Sequence, residues 1–156
     1  MPSTFYNQPA YAESVSNVTL SPSVALGSVR MEAGNQYLYV YNDGGASINV
    51  GKGVIISANT GYSVTVSSLT NVGGFLGVCQ HNTIMTASYG WIVTRGFCKV
   101  FAAASTALTS GAPLFVGVDG SFTESTGALT QMAQGYCITA TAAGGIGYGY
   151  VRCFGA

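Results

Sequence analysis

From residue 30 onward, apolar and polar residues alternate with the two-residue period that is typical of β-strands. The clearest runs lie at residues 37–41, 62–66, 89–101 and 147–154, and all are rich in β-branched and aromatic residues, which favour strands. Turn signals such as Asn42-Asp43-Gly44-Gly45 and Asp119-Gly120 separate the runs. The pattern predicts an all-β fold, a small β-barrel or sandwich of short antiparallel strands.

Two features inside this pattern make sharper predictions. Residues 113–118 and 121–124 flank the turn Asp119-Gly120, so they should form a hairpin. In the long run 89–101, Tyr89, Trp91 and Val93 share one parity, which predicts that Trp91 is a core residue. Gly96 marks a bend in this run.

Residues 1–29 have a different character and are predicted to form an extended N-terminal arm before a β-domain at 30–156. The segment holds Pro2, Pro9 and Pro22, and its only charge is Glu13. Its aromatic residues Phe5, Tyr6 and Tyr11 follow no helical or strand period, and they are the predicted partner-binding residues. A neighbouring subunit is the favoured surface for these rings, and packing on the chain's own domain is the alternative. A division of the β-domain into a hairpin layer at 30–70 and a small barrel at 71–156 is also open.

Composition restricts the function classes. Charged residues make up 6% of the chain, and 5 Lys+Arg balance 5 Asp+Glu. This balance argues against a nucleic-acid partner, and no run is long and apolar enough for a membrane helix, so we expect neither partner. No secretory signal is visible at residues 1–9. So few charges leave a weakly polar surface, which predicts that other subunits cover part of it.

The 10 Tyr and 7 Phe suggest how such an assembly is held together. Tyrosine combines an apolar ring with a polar tip and suits interfaces that carry little charge. The composition therefore predicts contacts that tolerate salt, including strand pairing with a neighbour. Lys52 is the only lysine near a predicted strand edge that could block such pairing.

Candidate chemistry is sparse, and we expect no catalytic residue, metal site or cofactor. Cys79 and His81 could share one face of a strand, but a nucleophilic cysteine also needs an electropositive setting. The five acidic residues are far apart in sequence, and neither Gly51-Lys52-Gly53 nor the glycines of 144–149 match a nucleotide-binding motif. The four cysteines have no metal-ligand spacing and are predicted to be buried thiols, with disulfides as the alternative.

The C-terminal half resembles structural proteins of tailed bacteriophages. The resemblance is carried by GVCQHNTI at residues 77–84 and YGWIVTRG at residues 89–96. LTSGAPL at 108–114, the hairpin at Asp119-Gly120, GYCITA at 135–140 and YVR at 150–152 are similar to the layout of small capsid decoration (cement) proteins. Gly135-Tyr136-Cys137 departs from the usual order of that family.

The resemblance implies a non-enzymatic virion protein, made in the host cytoplasm and located on the capsid exterior. Such a protein binds the outer surface of a phage head and stabilises contacts between subunits of the major capsid protein. Its implied partners are the major capsid protein and copies of itself, since such proteins are often trimers. Another virion or surface module, namely a tail or fibre component or a carbohydrate-binding module, is the alternative.

Overall fold

The computed structural model describes residues 13–57, 61–66, 74–124 and 133–153. The described residues form a nearly all-β fold, in which a one-turn 3₁₀ helix spans Val118–Gly120. The ten strands are β1 (Val29–Glu32), β2 (Asn35–Asn42), β3 (Gly53–Ile56), β4 (Ser63–Val66), β5 (Phe75–Cys79), β6 (Ser88–Phe101), β7 (Pro113–Val116), β8 (Phe122–Thr123), β9 (Gly135–Cys137) and β10 (Ile146–Arg152). Within these ranges no helix is both long and apolar enough to cross a membrane.

Five strands close into a barrel, which confirms the predicted fold class. The strands follow one another in the order β2-β4-β3-β5-β6, and β6 pairs back with β2. All pairs are antiparallel except β2 and β4, which run parallel. The barrel takes β2–β4 from residues 30–70 and β5 and β6 from residues 71–156, so a division at residue 70 runs through it.

The barrel interior is one of two hydrophobic cores. Its buried side chains come from all five barrel strands and from two isolated bridge residues: Leu38, Val40, Ile48, Val54, Val64, Leu76, Cys79, Ile84 and Ile92. On β2 and β6 these are the even-numbered positions, as strand alternation requires of one face. At about 25 cal/mol per Å² of buried apolar surface, this core contributes much of the stability of the barrel.

The second sheet begins where β6 leaves the barrel. Beyond Arg95, β6 pairs with β10, which continues through β9 and β7 to β8. β7 and β8 form the hairpin that Asp119-Gly120 predicts, with Phe115 opposite Thr123. The second core lies between this sheet and the outer face of the barrel, and it includes Leu114, Phe122 and Val151.

Trp91 lies in this second core, as predicted, with only 2% of its surface exposed. Its ring lies 5.0 Å from that of Tyr39, the residue opposite it on β2. The indole Nε1 donates a hydrogen bond of 3.0 Å to Oε1 of Glu13, a residue of the N-terminal segment. A buried indole N–H requires such a partner, so Glu13 completes the environment of Trp91.

The described part of the N-terminal segment, residues 13–29, lies against the barrel of the same chain. Val15 is buried in the second core, and Thr19 exchanges two backbone hydrogen bonds with Tyr89. Ser23 Oγ lies 2.9 Å from the hydroxyl of Tyr39. Residues 13–29 therefore pack on the chain's own domain, which was the alternative to packing on a neighbouring subunit. Phe5, Tyr6 and Tyr11, the predicted partner-binding residues, lie outside the described residues.

A β-bulge at Thr94 changes which side chains of β6 point toward the second core. Val93 lies opposite Tyr37 and Arg95 opposite Gln36, so Thr94 is an extra residue. Before the bulge the odd-numbered side chains face the second core, and after it the even-numbered Cys98 and Val100 do. Bulges insert one residue and so exchange the two faces of the strand that follows. The parity predicted for Tyr89, Trp91 and Val93 is confirmed, and it does not continue beyond the bulge.

Beside this bulge, the side-chain amide of Asn35 makes the hydrogen bonds that the backbone of a neighbouring strand would otherwise make. Its Oδ1 accepts a hydrogen bond of 2.8 Å from the N–H of Phe97, and its Nδ2 donates one of 2.9 Å to the carbonyl of Phe97. Asn35 is the first residue of β2, so its amide continues the ladder where the backbone turns away. Gly96 makes room for it, since a Cβ there would lie 2.0 Å from Oδ1 of Asn35.

We expect Gly96→Ala to lower the free energy of unfolding by about 3 kcal/mol. The new methyl group would displace the Asn35 amide, and φ at this position is +125°, a conformation that L-residues avoid. The measurement is thermal and urea unfolding. The control is Gly45→Ala, at a position where a Cβ meets no atom within 4 Å, and it should change stability by less than about 0.5 kcal/mol. Equal stability of the two variants would contradict this account of Gly96.

Candidate functional site

The outward side of the second sheet presents a face of large side chains. We call it the aromatic face, and its members alternate along three neighbouring strands: Arg95, Phe97, Lys99 and Phe101 on β6, Ile146, Tyr148, Tyr150 and Arg152 on β10, and Tyr136 on β9. Cross-strand pairing sets them in rows, with Tyr150 opposite both Phe97 and Tyr136. The face is a product of the bulge at Thr94, because the bulge turns Phe97 outward.

Strand β10 reverses the usual distribution of side-chain size. Its outward positions carry Ile146, Tyr148 and Tyr150, while Gly147 and Gly149 point inward and are buried. A Cβ on Gly149 would lie 2.7 Å from a methyl carbon of Leu114, so the sheet approaches its core too closely for a larger residue. Large apolar side chains ordinarily occupy the buried face, and their exposure here indicates an interaction surface.

The rings of the aromatic face contact one another and remain accessible. Phe97 meets the Tyr150 ring edge-on with centroids 5.4 Å apart, and Tyr136 stacks on Tyr150 at 5.5 Å. Phe97 is 59% exposed and Tyr148 52% exposed. Contacts between rings hold the side chains in defined positions, so a partner that binds here loses less side-chain entropy than with isolated rings.

Positive charge is concentrated on the same face. Arg95, Lys99 and Arg152 are three of the chain's 5 Lys+Arg, and none of its acidic residues lies on β6, β9 or β10. Arg95 and Arg152 are directly opposite each other, an arrangement of like charges that disfavours the sheet. A shallow depression of about 220 Å³ lies at the edge of the face, lined by Gln134, Tyr136, Tyr150 and Arg152 among others.

Lys52 does not protect a strand edge, which corrects the expectation from sequence. Its side chain is 10% exposed, and its Nζ lies 2.9 Å from Oδ2 of Asp119 and 4.4 Å from the centroid of the Phe101 ring. The pair ties the loop before β3 to the turn between β7 and β8. Partial burial works to raise the pKa of Asp119, but hydrogen bonds from Lys52 and Ser121 and the charge of Lys52 outweigh it and hold that pKa below its usual value.

Cys79 and His81 are held by different partners. The Cys79 thiol donates to the carbonyl of Asn82, and burial raises its pKa to about 12, the reverse of what a nucleophilic thiolate needs. The His81 ring is stacked on Tyr37, with Nε2 3.2 Å from the tyrosine hydroxyl. Burial is the main cause that lowers the pKa of His81, and the positive charge of Lys99 adds to it.

The remaining titratable groups are also distributed over the fold. All four cysteines are buried and unpaired, and burial raises the pKa of each thiol, to about 12 for Cys153. Glu13 accepts from Trp91, Glu32 pairs with Arg30, and Glu124 accepts from the backbone of Thr109. Among the described residues no three His, Cys, Asp or Glu side chains are grouped so that they could hold a metal ion.

The predicted partner-binding residues and the aromatic face are different parts of the chain. Phe5, Tyr6 and Tyr11 lie outside the described residues, so their role stays a prediction. Sequence reasoning missed the aromatic face, although one signal was present. The run Ile146-Gly147-Tyr148-Gly149-Tyr150 alternates large and minimal residues, and a strand with glycine at every second position leaves its large residues on a single face.

The geometry defines the class of structure, a closed five-stranded β-barrel that carries a second sheet with an exposed aromatic face. Among solved structures, the chain is similar to the N base of the head fibre protein gp8.5 in bacteriophage phi29. The TM-score is 0.53 at 11% sequence identity, and the match covers 74% of this chain and 92% of that chain. The similarity is one of fold. No family model matches the chain, and no curated protein matches it.

We expect Asp119→Asn to lower stability at neutral pH and to weaken its dependence on acid. Because the folded-state pKa of Asp119 is depressed, its contribution is present above the unfolded value, near 3.8, and is lost as the pH falls through the folded value. Asp119 is 67% exposed, and screening by solvent limits the loss to about 1 kcal/mol. The measurement is urea unfolding between pH 7 and pH 2, with Asp43→Asn in an exposed turn as the control. Parallel pH profiles of wild type and Asp119→Asn would contradict the role of this pair.

Proposed function

We propose that this chain is a non-enzymatic structural protein of a tailed-phage particle, bound to the outer surface of the head. The observation that carries the proposal is the fold, because the similarity extends over nearly the whole of a head-fibre base. The sequence motifs at residues 77–84 and 89–96 independently resemble phage structural proteins.

The surface of the molecule supports a role in an assembly. With 6% charged residues the chain has little to keep an isolated monomer soluble, and four of its exposed large side chains, Phe97, Tyr136, Ile146 and Tyr148, share one face of one sheet. Large apolar patches on a protein surface ordinarily mark interfaces. Subunits of the major capsid protein and copies of this chain are the proposed partners.

Two roles on the head surface are compatible with this proposal. A decoration protein, the role we favour, would bridge neighbouring major capsid subunits and stiffen the shell, and the motif resemblance of the C-terminal half supports it. The base of a head fibre is the second candidate, and the structural comparison supports that role. The two differ in what the particle loses without the protein, because bridging contacts resist internal pressure and a fibre base does not.

The experiment is deletion of the gene from the phage that encodes this chain. Mass spectrometry of gradient-purified wild-type particles should detect the protein as a stoichiometric component. If it decorates the shell, particles without it should release their DNA at lower temperature than wild type. Unchanged heat stability together with loss of a projecting fibre would assign the fibre role. Absence of the protein from purified particles would contradict both.

Truncations separate the two parts of the N-terminal segment. Deleting residues 2–12 should leave the melting temperature nearly unchanged and weaken binding to heads, if Phe5, Tyr6 and Tyr11 anchor the protein as predicted. Deleting residues 2–28 should also destabilise the domain, because it removes buried Val15 and the Glu13 carboxylate that accepts from Trp91. The loss of these groups costs on the order of 2–4 kcal/mol. Tight head binding by the shorter truncation would show that residues 2–12 are not the anchor.

A further inference from the structure

We propose that the aromatic face binds the aromatic face of a second copy of this chain, around a two-fold axis that lies between the two sheets and runs across their strands. The inference rests on the proposed function in taking a copy of this chain as the partner, and it adds the face and the arrangement through which two copies meet. It is independent of Phe5, Tyr6 and Tyr11, since the residues that carry it belong to β6 and β10.

The face needs a partner because its large side chains are committed to the outside. Phe97, Ile146 and Tyr148 are each about half exposed, and they lie on two adjacent strands. The inward positions of β10 are glycines, and a Cβ at Gly149 would lie 2.7 Å from a methyl carbon of Leu114. Turning the strand over would break the packing of the second core, so only another surface can cover these side chains.

The pairing of β6 with β10 divides the face into four rows, each with one residue from either strand. In order along β6, the rows are Arg95 with Arg152, Phe97 with Tyr150, Lys99 with Tyr148, and Phe101 with Ile146. Cations stand in the first and third rows, while the second and fourth rows hold only ring and aliphatic side chains. Successive rows are about 6.6 Å apart, because each step covers two residues of a strand.

This order of rows is self-complementary when two copies pack face to face with their strands antiparallel. The two-fold axis reverses the rows, so the first row of one copy lies over the fourth row of the other, and the second lies over the third. Phe97 then meets Lys99 of the second copy, and Arg95 meets Phe101. A cation over an aromatic ring is a favourable contact, and aligned sheets about 10 Å apart let such side chains interdigitate.

The arrangement asks for no new polar contact from Arg152 or Lys52, which both have partners within their own chain. Arg152 interacts within the chain, and its row lies under the apolar Ile146 of the second copy. The Nζ of Lys52 lies 4.4 Å from the centroid of the Phe101 ring. Asp119 neutralises this lysine at 2.9 Å, so it does not repel the Arg95 that approaches the same ring.

The other face-to-face arrangement lacks this complementarity. With the two-fold axis along the strands, each row lies over the same row of the second copy. Arg95 then meets arginine side chains in place of the Phe101 ring, and Phe97 meets rings in place of Lys99. Burying like charges against one another is unfavourable, so the axis across the strands is the one that the order of rows selects.

The size of the face predicts a dimer that is weak in solution. Three strands about 4.8 Å apart, over the seven residues of β10, cover about 300 Å², and a stable complex buries about 800 Å² of each partner. Copies should therefore separate when dilute. On a phage head they would occupy neighbouring positions, where a high effective concentration favours pairing.

The experiment detects a weak dimer of the full-length protein by NMR. An unlabelled Ile146→Cys variant carries a nitroxide spin label at the new cysteine, since the four native cysteines are buried, and is mixed with ¹⁵N-labelled wild type. The label lies in the fourth row, so it should broaden the amide signals of Arg95 and Arg152 in the second copy. The signals of Phe101 and Ile146 lie about 20 Å further along the strands and should keep their intensity.

Two variants and two controls accompany this measurement. Phe97→Ser and Tyr148→Ser in the ¹⁵N-labelled copy should each abolish the broadening, because each removes a ring from a central row. Met85→Ser removes an apolar side chain of similar exposure, 54%, outside the face and should leave the broadening unchanged. A nitroxide at Met85→Cys should broaden no signal of the aromatic face. Thermal melting verifies that each variant is folded.

The outcomes separate this inference from the proposed function, which mass spectrometry of purified particles tests independently. If the label broadens the fourth row of the second copy, the axis runs along the strands and the proposed arrangement is wrong. If no signal of the aromatic face broadens, or if both ring variants broaden like wild type, the partner of this face is not a second copy, and the proposed function stands. If the expected rows broaden but particles lack the protein, the copies pair as inferred and the proposed function fails.

Discussion

The arrangement of this molecule depends on the point where β6 passes from the barrel to the second sheet. There Thr94 is inserted as a bulge, Gly96 adopts a positive φ, and the side chain of Asn35 bonds both backbone groups of Phe97. A strand that leaves a closed barrel exposes backbone donors and acceptors on the side of its former neighbour, and unpaired buried groups of this kind are costly. The Asn35 amide satisfies that requirement, so one strand serves two sheets.

The bulge at Thr94 also determines which side chains of β6 are buried and which are exposed. Before the bulge, Trp91 and Val93 face the second core, and after it Cys98 and Val100 do so. Phe97 and Lys99 are consequently turned outward, beside the tyrosines of β10. A strand without the extra residue would bury Phe97 and expose Cys98, and no aromatic face would form. The aromatic face and the arrangement of the second core thus both depend on a single local irregularity.

Composition and spatial distribution give different pictures of the electrostatics. Five positive and five negative residues in the whole chain suggest contacts without charge. In the structure the acids are dispersed among separate partners, including Lys52 and Trp91, while three of the cations share one face. A partner senses the local potential within about one Debye length, roughly 8–10 Å, and not the sum over the chain. A chain of zero net charge can therefore carry a locally positive face.

The sequence by itself determined the fold class, the β7–β8 hairpin and the burial of Trp91, because strand alternation and turn residues act between near neighbours in the chain. It also predicts that other subunits cover part of the surface, which stays a prediction. The tertiary structure alone decided the parallel pairing of β2 with β4, the burial of Lys52 against Asp119 and Phe101, and the packing of residues 13–29 on the barrel. It also decided the composition of the aromatic face, since that depends on the bulge at Thr94 and on strands about fifty residues apart in sequence. These features depend on contacts between distant segments, and no local sequence pattern indicates which distant segments will be adjacent in the fold.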